Sequence, residues 1–205
     1  MNTLTPEQPA TVETAAVTTA SARDREAVLD VLVRAFQADP VIRWAFPDPR
    51  TYRDGFRAFA AAFGGRAFEH RSAFYAGEMR GAALWLPPGV GPDEEAMVPQ
   101  LERDVPDDRL DDFYTVLGEA GRYHPDEPHW YLPLIGVDPA HKGIGHGSSL
   151  LRHVTERLDR AARVAYLEST NPLNLPLYRR HGFEVCGKIT VGTCPPVYPM
   201  VRQPR

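Results

Sequence analysis

Val137-Asp138-Pro139-Ala140-His141-Lys142-Gly143-Ile144-Gly145-His146-Gly147-Ser148-Ser149-Leu150-Leu151 is where one structural period hands over to another. Upstream, Trp130 to Val137 is a near-continuous apolar run, as expected of a strand covered on both faces. Downstream, Leu150, Leu151, Val154 and Leu158 recur at helical intervals and predict a helix over Gly143 to Arg160. Three alternating glycines sit where that helix begins, although each costs about 1 kcal/mol relative to alanine in a helix. The return on that cost is exposed backbone. The first N–H groups of a helix have no internal partner, the helix dipole there favours anions, and without Cβ atoms a diphosphate can approach them closely. Lys142 adds a positive charge at the rim.

Two phosphate-binding patterns fit poorly. The Gly-Lys-Ser/Thr ending of a P-loop is absent. A dinucleotide fold places its third glycine one residue later and needs an acid about twenty residues on. Glu168 stands near that offset, but only 37 residues follow it, too few for the remaining strands. The segment resembles instead the pyrophosphate loop of the acetyl-CoA-dependent GNAT N-acetyltransferases. That loop reads Arg/Gln, two residues, Gly, one residue, Gly/Ala; here it is Lys142-Gly143-Ile144-Gly145-His146-Gly147, with lysine in the first place. Val137 and Pro139 also match. Asn171-Pro172-Leu173-Asn174-Leu175-Pro176-Leu177-Tyr178-Arg179-Arg180-His181-Gly182-Phe183 looks like the superfamily's next signature. Glu127 to Leu132, Gly136-Val137, Leu167-Glu168-Ser169, Asn174-Leu175-Pro176 and Tyr178 are similar to the puromycin N-acetyltransferase group. The likeness covers residues 127 to 183 and gives no motif over the first 125.

The resemblance implies an α/β fold with a mixed, mostly antiparallel sheet of six to seven strands and helices on both faces. It implies acetyl-CoA as co-substrate and a small-molecule amine as acceptor, with no metal. Tyr178, in a short helix over Asn174 to His181, is then the general acid that protonates the departing thiolate. Glu168, on the strand Ala165 to Ser169, is the base; a glutamate there is expensive to bury unless paired or working, so a structural carboxylate is the other reading. His129 is a candidate second base or a surface histidine. The strand carrying Ile135 and Val137 should splay from that of Glu168, so that cofactor amides pair with the free backbone of Ile135 and Val137 like an added strand. Pro133 fits either a bulge or a missing partner there. Lys142, Gly143, Gly145, His146, Gly147 and Ser148 would hold the diphosphate. Asn171 and Asn174 would bond the cofactor's arm or cap helices. Trp44, Phe46, Tyr75 and Trp85 would either wall the acceptor pocket or lie in the core. Two other functions share this fold: transfer from a different acyl-CoA, and a non-catalytic CoA-sensing module.

Toward the N-terminus the signals are local. Residues 1–10 read as a loose tail, with one domain over 11–205 whose motif-bearing half is 127–205. Val12 to Ala20 alternates like a strand. Ser21 and Asp24 have capping-box spacing ahead of a helix carrying Val28, Val31, Leu32, Ala35 and Phe36, ended by Asp39-Pro40. A second helix fits Thr51 to Phe68. Ala73 to Ala76 and Gly81 to Leu86 read as a hairpin, and Pro92 to Gly121 as helices broken near Val105-Pro106. Phe183 to Val191 and Val197 to Arg202 read as closing strands.

At 205 residues, 43% hydrophobic and 24% charged, the chain suits one globular domain. The formal charge of −4 argues against nucleic acid or anionic membrane as main partner. Residues 93–119 hold ten acids against two basic residues, either a solvated helix face or an acidic lip for a cationic substrate. Two cysteines without ligand spacing, and no export-type N-terminus, lead to the expectation of a reduced, cytoplasmic setting. The seven histidines are scattered, so no metal is expected. A homodimer is an open expectation.

Overall fold

In the computed structural model, which describes residues 15–205, the glycine loop opens at one side of a seven-stranded sheet. The expected tail over 1–10 and the first residues of the expected strand from Val12 lie outside the described residues. Strand β1 is Val17–Thr19, β2 Ala73–Ala76, β3 Gly81–Leu86, β4 His129–Val137, β5 Val164–Ser169, β6 Glu184–Val185 and β7 Tyr198–Arg202. Their spatial order is β1-β2-β3-β4-β5-β7-β6. Every pairing is antiparallel except β4 with β5. The mixed, mostly antiparallel sheet expected from the sequence is present.

Among the described residues seven α-helices cover it: α1 Arg25–Phe36, α2 Pro40–Ala45, α3 Pro49–Gly64, α4 Glu94–Asp104, α5 Asp107–Arg122, α6 His146–Arg160 and α7 Leu175–Arg180. Alternation along the strands divides the core in two. Leu84, Leu86, Tyr131, Leu134 and Tyr166 point to the face packed by α1 to α5. Ala83, Trp85, Leu132, Leu167 and Met200 point to the face packed by α6 and α7. Both faces are dry, which is why β3 is buried at every position. Phe46 and Trp85 lie in these cores and line none of the cavities described below.

Several boundaries differ from the sequence reading, each for a local reason. The Ser21–Asp24 capping box forms, with the Ser21 backbone N–H and hydroxyl both donating to Asp24, but it starts a 3₁₀ turn that runs into α1. Asp39-Pro40 ends α1 and also starts α2: Asp39 is the N-cap, accepting from the Val41 and Ile42 N–H groups, and Pro40 takes the first helical position. Asp48-Pro49 does the same for α3, which therefore begins before Thr51. The strand expected from Phe183 to Val191 shrinks to β6 plus one bridge, Ile189 with Val197. There the chain leaves the sheet to lie over α5, with Gly187 against the Tyr123 ring and Gly192 against Asp112.

Candidate active site

The centre of the sheet is where the site forms. β4 and β5 pair only at His129 with Val164, Trp130 with Ala165 and Tyr131 with Tyr166. Beyond Tyr131 the two strands part, although β4 runs on to Val137 and β5 to Ser169. Pro133 sits at the parting and also within an irregularity, because Leu134 pairs with Leu84 but Tyr131 with Leu86. Both explanations for that proline therefore hold at once. Further along, Asp138 N–H donates to the Arg80 carbonyl. Alternation along an antiparallel ladder then turns Leu134 and Gly136 toward β3, and turns the backbone of Ile135 and Val137 to the side that β5 has left.

Helix α1 walls that gap. A Cβ on Gly136 would lie 2.4 Å from the Ala35 Cβ, so only glycine lets α1 approach β4 this closely. A cavity of about 740 Å³ results, lined by Ala35, Ile135, Val137, the glycine loop, Asn171 and Tyr178 among others. Arg34 ties α1 to the loop entrance through Asp138 at 2.7 Å.

The loop departs from the helical reading. Helix α6 begins at His146, so Gly143 and Gly145 lie ahead of it with φ of +84° and +96°. Their conformation is left-handed, which alone requires glycine. Gly147 is the one glycine within the first turn. The first intrahelical bond runs from Ser149 N–H to the Gly145 carbonyl, and no side chain caps the helix. Among the described residues the amides of His146, Gly147 and Ser148 thus have no protein partner. Lys142, Arg152 and Arg180 line the same cavity and make it electropositive.

Side chains in this region divide. The His146 ring turns away and packs against Gly77 of the β2–β3 turn, so its expected cofactor contact reduces to its backbone N–H. Burial, then Arg80 and His141, push its imidazole toward the neutral form. The Ser148 hydroxyl lies 3.1 Å from the His181 ring. The Asn171 side chain accepts from Leu173 N–H and caps the turn before α7. Asn174 makes no cap bond and lines both this cavity and the next.

Asp39 is a residue whose buried role the sequence reading missed. Its carboxylate, 6% exposed, also accepts from the Thr170 hydroxyl at 2.6 Å, tying α2 to the turn after β5. Burial raises its acid range, opposed by that hydrogen bond, by the two helix amides and by Lys142. Asp39→Ala should lower folding stability by about 1–3 kcal/mol, whereas Asp39→Asn, which can still accept from the amides and donate to Thr170, should cost less. Urea unfolding checks this. Because the native carboxyl holds its proton more tightly than the unfolded one, its contribution favours folding at low pH and is lost as pH rises through the native value; the Asn variant lacks that dependence.

A second cavity, about 240 Å³, opens on the other side of the parting. Its walls are mostly apolar: Phe36, Phe59, Phe63, Met97, Phe113 and Val116 are among them. Trp44 and Tyr75 do not line it; Trp44 instead donates to the Thr193 hydroxyl. The acidic segment contributes its apolar face as a roof, and of its ten acids only Glu94 reaches the lining. Glu168 lies in the cavity wall with its side chain 10% exposed. It faces the hydroxyls of Tyr131 and Tyr166, and burial followed by its negative charge holds both phenols well above their ordinary range. His129 is outside this cavity. His124, which the sequence reading passed over, lines it and lies 3.4 Å from Glu168.

Tyr178 belongs to both cavities, as do Phe36, Ile135 and Asn174. It is 6% exposed, and no protein group hydrogen-bonds its hydroxyl among the described residues. Burial, and secondarily Asp39, raise the phenol well above its ordinary range. Shared lining residues thus join an electropositive mouth to a mostly apolar chamber whose wall carries the largely buried Glu168 and the exposed Glu94.

Comparison with known proteins agrees with this arrangement. Residues 110–185 match the family model described as the acetyltransferase (GNAT) domain. Over those residues the chain is similar to GNAT acetyltransferase domains. A solved structure titled histone acetyltransferase HPA2 and related acetyltransferase, from Corynebacterium glutamicum, is 29% identical, with a TM-score of 0.66 over 94% of this chain and 97% of that one. Two others share the fold: an arylalkylamine N-acetyltransferase 2 from Aedes aegypti, 15% identical, TM-score 0.65 over 93% and 99%, and a Drosophila melanogaster polyamine N-acetyltransferase, 15% identical, TM-score 0.66 over 92% and 99%. An uncharacterized N-acetyltransferase of Schizosaccharomyces pombe is 24% identical over 119 residues, 52% of this chain. The chain spans about half, 48%, of that curated relative's length.

Proposed function

We propose that the protein is an acetyl-CoA-dependent N-acetyltransferase that acetylates the primary amine of a small molecule by direct transfer. The observation that carries this is the uncapped start of α6, whose free amides face the cavity in which Tyr178 also stands. The diphosphate would lie on the amides of His146, Gly147 and Ser148 with Lys142 at the rim. The cofactor's arm would run along the backbone of Ile135 and Val137, and bring the thioester to Tyr178 at the junction. The amine enters from the apolar chamber, where Glu168 takes a proton from the ammonium. The neutral amine then attacks the thioester carbonyl. The C–S bond breaks, Tyr178 protonates the thiolate, and a nitrogen proton restores the phenol. Burial raises the phenol, but it also raises the basicity of a thiolate formed beside it, so donor and acceptor stay matched.

An apolar chamber with one buried carboxylate suits an amine borne on an apolar or aromatic body. A polyamine would bring further charges into mostly apolar walls, where Glu94 is the one other carboxylate on the lining among the described residues. The likeness to the puromycin group over 127–183 supports the same class.

The test is a thiol-release screen of diverse primary amines with acetyl-CoA. Turnover is expected with arylalkyl or aminonucleoside amines, and far less with polyamines. Binding of acetyl-CoA without thiol release from any amine would favour a sensing module instead. The pH profile is a further prediction. Activity should rise with pH as the amine loses its proton. The alkaline fall that an ordinary tyrosine acid would give should be absent up to about pH 10, because burial keeps Tyr178 protonated beyond its usual range.

A further inference from the structure

The acceptor chamber has a polar connection to a second cavity at the surface. His124 lines both the chamber and a cleft of about 400 Å³ formed by Pro87 to Pro92 and by His124 to His129. Along that connection two hydrogen bonds and one ion-pair contact follow in series. His129 Nδ1 lies 2.8 Å from the Glu127 carbonyl, and His124 Nδ1 lies 3.0 Å from His129 Nε2. His124 Nε2 in turn lies 3.4 Å from Glu168 Oε1. The Tyr131 and Tyr166 rings box the two imidazoles, with centroids 4.8 and 4.2 Å from that of His124, and the Tyr166 hydroxyl is anchored to the Ala120 carbonyl.

The tautomers follow from the acceptors. A carbonyl only accepts, so His129 Nδ1 carries a hydrogen. Neutral His129 then accepts at Nε2, and His124 Nδ1 donates to it. That leaves His124 Nε2 bare, facing a carboxylate oxygen. Two acceptors are thus aimed at each other, with room for one proton between them.

We propose that His124 and His129 form a proton relay that carries to solvent the proton Glu168 takes from the acceptor ammonium. This rests on the acetyltransferase reading with Glu168 as base. The N–H bond of the ammonium breaks, its electron pair stays on nitrogen, and the proton moves to Glu168. Glu168 passes it to His124 Nε2, and His124 releases its Nδ1 proton to His129 Nε2. The His129 imidazolium gives its Nδ1 proton, held until then by the Glu127 carbonyl, to water in the cleft, and both rings, which line the cleft, regain their Nδ1–H tautomers by exchange with that water before the next turnover. One proton leaves per acetyl transferred, and no further reactant is consumed. The other ionisable groups facing the path are the Tyr131 and Tyr166 hydroxyls, Glu94 on the chamber wall, Cys186 opposite Glu168, and Asp126 and Glu127 at the cleft.

The experiment measures kcat/KM against pH for the wild type, His124→Ala and His129→Ala. The relay matters only when the amine arrives protonated. Each variant should therefore lose roughly tenfold or more at pH 7, lose little near pH 10, and regain rate with added imidazole. His129, at the cleft, gives the decisive variant if His124→Ala does not fold. Nitrogen NMR of the wild-type histidines should show hydrogen on Nδ1 of both rings. Equal losses at every pH, no loss, or hydrogen on Nε2 of neutral His124 would overturn the relay while leaving the acetyltransferase reading standing. A wild type that turns over no amine would overturn that reading, and the relay with it.

Discussion

Tyr178→Phe should lower kcat by about 10²–10⁴-fold while leaving acetyl-CoA affinity and folding stability close to wild type. The side chain is buried and its hydroxyl makes no protein hydrogen bond among the described residues, so deleting it removes no structural hydrogen bond. The ring keeps its place between the two cavities, edge-on to Phe183 at 6.3 Å. What is lost is the proton available to the thiolate. Thiol-release kinetics, paired with calorimetric titration of acetyl-CoA and a thermal melt, separate the three quantities. Retained kcat would assign the proton to another donor. Loss of binding or melting temperature in step with kcat would make the residue structural.

Gly147→Ala should weaken acetyl-CoA binding by roughly 5- to 150-fold, the equivalent of about 1–3 kcal/mol for a methyl forced into a filled site. The fold itself accepts the change. An added Cβ would lie 3.4 Å from Leu177 Cδ2 and 3.7 Å from Val137 Cγ2, ordinary contact distances. Position 147 is helical, and alanine there is favoured by about 1 kcal/mol. A variant as stable as wild type, or more so, that no longer holds the cofactor would separate the two reasons for glycine in this loop. Gly143 and Gly145 cannot make that separation, because their positive φ ties them to the backbone path. Unchanged affinity in Gly147→Ala would move the diphosphate elsewhere.

The second half of the chain was legible because its signals are local and chemical. A buried strand, a run of glycines and an amphipathic helix stand in direct succession, and their order implies a topology. Even so, glycine spacing did not separate the two left-handed glycines from the helical one, since both demands select the same residue. Asp39 was read only as a helix stop, and Asp48 was passed over, for a related reason. An Asp-Pro pair ends one helix and caps the next, and periodicity records only the first effect. The chamber was not legible. Its walls come from α3, α4, α5 and the ends of two strands, so Phe63, Met97 and Phe113 meet only in the folded chain. His124 carried no motif; it matters because the end of α5 lies against the parting of β4 and β5. The acidic run allowed a solvated face or a lip, and the fold agrees with the first: its apolar face turns inward and most of its charge stays in water.

Backbone amide NMR during titration with coenzyme A tests the central claim most directly. Saturable shifts concentrated at Gly143 to Ser149, with the amides of Ile135 and Val137 following, are the predicted result. Shifts confined to other surfaces, with the amides at the start of α6 unmoved at saturation, would contradict it.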